Sequence, residues 1–264
     1  MADPDEILSP TDEKANFLRL TRLLISGGTR LLRETLDKYC PPRDLSRKLS
    51  DPSIKKELTG NHPKLTKPQR DTLYPSPGAY GESKVCDITL LFRLLRTNQI
   101  CNLTPPLYGW DKPLASGDYS LAADLMRVKD YRNKLYAHVE GTMDIAHDDF
   151  QSNWSEIREV LVRIAGHLSR EEKKKWQMEI DKSLKSSLTA DDKRNVEELE
   201  KWYRQDMELK KTVEEGFKRI LEENDATRNQ LEELSRLMLA TCLRDSHTTA
   251  ESGLTEGKLL YKTM

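Results

Sequence analysis

Leucine, isoleucine and phenylalanine recur along most of this chain at the three- and four-residue spacing that places them on one face of a helix. Over Asp12–Tyr39 the apolar positions Phe17, Leu20, Leu24 and Leu31 alternate with helix formers and predict a long first helix. Gly27 and Gly28 interrupt it, and the expectation there is close packing by another helix or a kink, with close packing favoured. Pro41 and Pro42 end the element, because proline lacks an amide donor and disfavours helix in the residue before it. Residues 43–80 read as short helical turns joined by proline and glycine loops, with Thr66 as an N-cap. A second core helix starts at the N-cap Asp87 and carries Ile88, Leu91, Leu94 and Leu95. The loop "CNLTPPLYGWDKPLASGD" follows, and its Trp110 is expected to fold over the core. Asp118 or Ser120 then caps a helix with Leu121, Leu125, Val128, Leu135 and Val139 in register. Another runs from about Asp149 to Leu168 on Trp154, Ile157, Val160 and Ile164, and Ser169 caps one more that ends near Leu188.

Five or six such helices without a strand pattern predict an all-α fold, a helical bundle followed by a long charged helix or coiled coil. The bundle is expected over residues 12–170, a connecting helix over 171–188, the long helix over 189–245 and a disordered tail over 246–264. Heptads counted from Val196 put Leu199, Tyr203, Val213, Phe217, Ile220, Leu231, Leu234 and Met238 at a and d positions. Lys210 and Asn224 also fall at a positions, and Asp206 at a d position. Asn224 weakens such a seam while selecting its register; Lys210 and Asp206 argue for a loose assembly or a return of this helix onto the bundle.

Charge and composition narrow the functional classes. The 264 residues carry 43 Lys and Arg against 44 Asp and Glu, a net charge of −1, and mean hydropathy is −0.73, as expected of a helix-rich chain outside the membrane. The apolar run "DITLLFRLLRTNQI" is too short to span a bilayer and is broken by Arg93 and Arg96. No basic, apolar leader opens the sequence, so a cytoplasmic location is expected. Cys40, Cys86, Cys101 and Cys242 are scattered, which predicts buried thiols and neither a zinc site nor a disulfide framework, and no cofactor is expected. Between 41 and 70 the chain is locally basic, and Arg47, Lys48, Lys55 and Lys56 are candidates for contact with an RNA backbone. The lack of aromatic residues among them leaves a solvated surface as an equal alternative.

The most telling residue is Arg132, a cation in the middle of the stripe formed by Leu121, Leu125, Val128, Leu135 and Val139. It has either a buried acidic partner, for which Glu34 is the candidate, or an opening onto a cleft or a second subunit. His138 lies six residues on, so the two side chains diverge by about 120° on an ideal helix. Together they have the chemistry for metal-free RNA cleavage. An imidazole can take the 2′-hydroxyl proton or supply one to the leaving oxygen, and a guanidinium can hold the phosphate. Asn133 is placed to fix either group by hydrogen bonds. A buried ion pair at Arg132 and a helix-end role for His138 is the competing structural account.

The stretch "RNKLYAH" fits the signature of the HEPN superfamily, and "NFLRLTRLLISGGTRLLRETLD", "LYPSPG", "DITLLFRLLRTNQICNLTPPLYGWD" and "SLAADLMRVKDYRNKLYAH" extend the likeness. The chain resembles the HEPN subtype found at the N-terminus of the DAZ-interacting zinc-finger (RING) ubiquitin ligase and in many invertebrate HEPN proteins. The resemblance implies a bundle that forms a homodimer and sets Arg132 and His138, with Asn133 as polar neighbour, in a shared cleft that cuts RNA in catalytic relatives. Lys134 stands where relatives of this subtype usually carry an acidic residue. Other HEPN domains are inactive, and bind RNA or assemble signalling complexes. Two functions are therefore expected: an RNA-binding domain acting as a metal-independent endoribonuclease, or a non-catalytic adaptor in innate immune signalling that meets protein partners through the C-terminal helix. Without RING cysteines the chain is not expected to transfer ubiquitin, and neither membrane nor specific DNA contacts are expected.

Overall fold

The computed structural model describes residues 12–60, 65–139 and 143–260. Among these residues the fold is helical, with no strand, and a lone bridge between Ser76 and Ala79 closes one tight turn. The predicted first helix is continuous in path but changes pitch. Helix α1 (Asp12–Thr21) runs into a π-helical stretch, Arg22–Gly28, and then into α2 (Thr29–Tyr39). The two glycines thus close a π-helical segment. Close packing does not require them, since a Cβ on Gly28 would lie 3.6 Å from Leu24 Cδ1 and from Val128 Cγ1, an ordinary contact.

Short helices α3 (Pro42–Leu49), α4 (Pro52–Thr59) and α5 (Lys67–Leu73) follow, each with proline in its first turn, where a missing amide costs least. Asp51 caps α4, and Thr66 and Gln69 form a reciprocal capping box on α5. Helix α6 (Ile88–Arg96) is capped by Asp87, which accepts from Leu90 N at 2.7 Å, and a single turn, α7 (Asn98–Cys101), succeeds it. In the proline-rich loop, Trp110 stands edge-on to Phe92 at 5.7 Å, which folds that segment over the core as expected. Ser120 then accepts from Ala123 N at the start of α8 (Leu121–Val139).

Helix α9 (His147–Leu168) is the central element, packed against α1, α2, α8 and α10 (Arg170–Lys185). Its buried face carries Trp154, Ile157, Val160 and Ile164. Helix α6 packs on α2 and α8, and with α9 it surrounds a leucine-rich core in which Leu24, Leu31, Leu36, Leu91, Leu94 and Leu125 are wholly buried. Removing a side chain of that size from water is worth roughly 1.5–3 kcal/mol, so this apolar register is what selects the bundle.

The domain boundaries differ from the sequence reading. One compact unit ends at Asp206 and a second begins at Met207. Helix α10 is not a connector: Trp176 and Ile180 are buried against the bundle, and the Trp176 indole donates to Glu34 Oε2 at 3.0 Å. The first heptads of α11 (Ala190–Leu260) belong to the bundle as well, through buried Val196 and Leu199. The tail expected to lose structure from residue 246 is helical to Leu260, a stretch without proline; residues 261–264 lie outside the described residues. No helix among the described residues is long and apolar enough to cross a membrane.

Candidate functional site

The apolar face of α8 turns Arg132 inward, as the sequence pattern requires, and the residue is 3% exposed. Groups of the same chain surround its guanidinium. Nη1 donates to the Thr89 hydroxyl, and Asn133 Oδ1 accepts from Nε at 3.2 Å and from Nη2 at 2.8 Å. Asp206 Oδ2, from α11, lies 3.3 Å from Nη2, and the Tyr136 ring covers the guanidinium carbon at 5.0 Å. Tyr136 also donates to Asp206 Oδ2 at 3.2 Å and meets the Tyr203 ring edge-on at 5.4 Å.

The acidic partner is therefore Asp206, half-buried, and not Glu34. Glu34 faces α10, where it accepts from Trp176 and pairs with Arg30 at 3.1 Å, so it is directed away from α8. A second carboxylate completes the surroundings. Burial pushes the Asp87 carboxyl up, against the pull of the Leu90 amide and of the nearby Arg132 charge, with Asp206 adding to the rise. Burial likewise pushes the Tyr136 hydroxyl up, which keeps it a donor to Asp206 near neutral pH.

His138 looks elsewhere. Its Nδ1 is 3.0 Å from the Asp144 carbonyl oxygen and its ring is 6.3 Å from that of Phe17. The structure thus brings Arg132 and Asn133 together and gives His138 separate neighbours beside α1. Within one chain Arg132 and His138 are not hydrogen-bonded to each other. Lys134, next to the signature, is exposed, with its ammonium 5.0 Å from the Tyr131 ring centre.

The basic candidates lie on α3 and α4. Arg47 is exposed and pairs with Asp44 at 2.8 Å, and the half-buried Lys48 donates to the Ile100 carbonyl at 2.5 Å. Lys55 sits 5.0 Å from the Tyr74 ring centre, and Lys56 is exposed. Lys48 therefore holds α3 to α7, while Arg47, Lys55 and Lys56 keep their charges at the surface.

Sequence reasoning missed Thr89 as a partner of Arg132, since it reads as part of an ordinary helix start. It also missed a buried charge cluster in which Asp124, fully buried, accepts from Arg163 through both oxygens at 2.9 Å and from Arg127 at 2.7 Å. Asp206 did leave a signal, as the acidic fault in an otherwise apolar heptad.

A family model for "DZIP3/hRUL138-like HEPN" matches residues 42–195, which includes Arg132, Asn133 and His138. The chain belongs to this HEPN family. It is 29% identical over 154 residues to the mouse E3 ubiquitin-protein ligase DZIP3 and 28% identical over 152 residues to the human protein of the same name. Each match covers 56% of this chain and 12% of the relative, so the likeness is to one segment of a much longer protein. No solved structure matches the chain.

Proposed function

We propose that this HEPN protein works as a non-catalytic assembly module, in which Arg132 has a structural role. The observation that supports this is the closed shell around Arg132: an almost fully buried guanidinium with Asp206, Thr89, Asn133 and Tyr136 on it, and His138 bonded to a different segment. A phosphate binding there must displace a carboxylate first, which opposes catalysis. Three free, buried cysteines fit a reducing compartment, and we place the protein in the cytoplasm on that ground. The relatives' ligase activity is not carried over, because the match reaches 12% of their length.

The test is incubation with structured and single-stranded RNA in EDTA, beside Arg132→Ala and His138→Ala. The expected result is no cleavage by any of the three. Wild-type cleavage leaving cyclic phosphate ends, lost in both variants, overturns the reading.

One observation favours the second reading, a metal-independent endoribonuclease or RNA-binding domain. The shell is closed from α11 by one carboxylate that is about a third exposed, Asp206. Withdrawing it uncovers a guanidinium already oriented by Asn133. His138 would then act as acid or base on a 2′-hydroxyl brought across a homodimer cleft. Arg47, Lys55 and Lys56 would hold the flanking backbone. In that case Asp206→Asn binds RNA more tightly than wild type does, and an unchanged affinity removes this reading.

A further inference from the structure

Helix α11 uses one heptad register for two kinds of contact. Its first a and d residues are occupied within the compact unit: Val196 and Leu199 are buried, Tyr203 packs on Tyr136, and Asp206 meets Arg132. From Val213 onward the same register is bare. Val213, Phe217, Ile220, Leu231, Leu234 and Met238 are each between 38% and 69% exposed. A row of large apolar side chains at a and d, on a helix of 71 residues, is not stable as a solvated face.

We propose that the segment Lys210–Met238 pairs with the same segment of a second copy of this chain as a parallel, in-register, two-stranded coiled coil. This deepens the assembly reading, on which it rests, by naming the partner. Two polar features point to a second copy in this orientation. Asn224 occupies an a position in the middle of the apolar row, and an asparagine there is satisfied by the same asparagine of a parallel partner and by no leucine. Glu223, directly before Asn224, is a g residue and Arg228 the e residue five positions on, which is the spacing that brings them together across a parallel dimer. By symmetry the pair forms twice. Among the described residues Arg228 pairs with Asp225, at 3.9 Å and with both side chains largely exposed, so this contact offers little competition. An antiparallel or out-of-register pairing sets Asn224 against apolar residues or separates Glu223 from Arg228.

The experiment measures the molar mass of the full chain in solution from about 1 to 100 µM, for wild type and three variants. Wild type is expected to be a dimer. Phe217→Lys with Ile220→Lys, on exposed positions, should leave monomer. Glu223→Arg and Arg228→Glu should each weaken the dimer about tenfold, since both place like charges across the seam. Mixing those two single variants should restore the affinity, because the opposite charges then face each other in the heterodimer. A monomeric wild type, a dimer that survives the double lysine change, or no rescue on mixing overturns the proposal. The first two outcomes leave the assembly reading standing if RNA cleavage is also absent, whereas cleavage lost on Arg132→Ala removes that reading whatever the molar mass.

Discussion

Arg132 and Asp206 lie 3.3 Å apart, and each is the anomalous residue of its own helix. The arginine interrupts the apolar stripe of α8 and the aspartate interrupts the apolar heptads of α11, so the two exceptions account for each other. Their burial is unequal, 4% against 32% side-chain exposure, and this asymmetry predicts unequal mutational costs. Arg132→Ala leaves a cavity, takes the donor from the Thr89 hydroxyl and leaves Asp206 without its cation, for a loss of about 2–4 kcal/mol. Asp206→Asn leaves the guanidinium bonded to Thr89 and Asn133, and because the aspartate is partly in water the loss is about 1 kcal/mol. Denaturant unfolding of the two variants checks the order; equal losses would show that the pair is not what holds α11 to α8.

The bundle was legible because apolar spacing, caps and prolines act locally: Asp87, Thr66, Ser120 and Ser169 each cap the helix that the sequence assigns them. The misfit of Arg132 was equally legible. Its partner was not, since an ion pair between residues 74 positions apart depends on how α11 returns to the bundle, and no local pattern encodes that return. Arg22 shows the same limit. Its guanidinium binds both oxygens of Asp192, Ser186 Oγ at 2.5 Å and the Ser187 carbonyl at 2.9 Å, clamping the turn between α10 and α11 onto the π-helical stretch. Nothing near Arg22 in sequence announces this.

Two glycines are predicted to respond in opposite directions. Gly28 has φ −59° and ψ −48°, ordinary helical values, and a Cβ there finds only van der Waals contact. Gly28→Ala should therefore stabilise the protein by about 0.5–1 kcal/mol through the unfolded chain's lost freedom. Gly81 donates to the Leu73 carbonyl at 2.9 Å, and a Cβ on it would lie 2.3 Å from the Thr72 carbonyl oxygen. Gly81→Ala must move backbone and should cost about 2 kcal/mol or more. Thermal unfolding decides; a destabilised Gly28→Ala would restore close packing as the reason for that glycine.

The buried thiols are predicted to be inert in the native state. Burial pushes Cys86 and Cys101 up to about 12 and also raises Cys40, so at pH values near 8 each is almost entirely the unreactive thiol. Mass spectrometry after brief alkylation should find these three unmodified in the folded protein and fully modified in denaturant. Native labelling of Cys86 at the rate of a free thiol would contradict its burial.

The clamp at Asp192 carries a pH signature. Burial opposes ionisation of this carboxyl, but the hydrogen bonds from Arg22 and Thr189, with the Arg22 charge, together outweigh it and hold the carboxyl below the usual value of 3.8. A carboxyl depressed in the folded state binds its proton more readily in the unfolded chain, so acid favours unfolding. The stabilisation is fully present above the unfolded value, from about pH 5 upward, and is lost as pH falls through the folded value. Unfolding free energies measured from about pH 6 down to pH 2.5 should fall more steeply for wild type than for Asp192→Asn, with the two converging at the acid end. Parallel curves across that range would mean that the clamp's charge contributes nothing, leaving its hydrogen bonds and the shape of the turn to hold α11 in place.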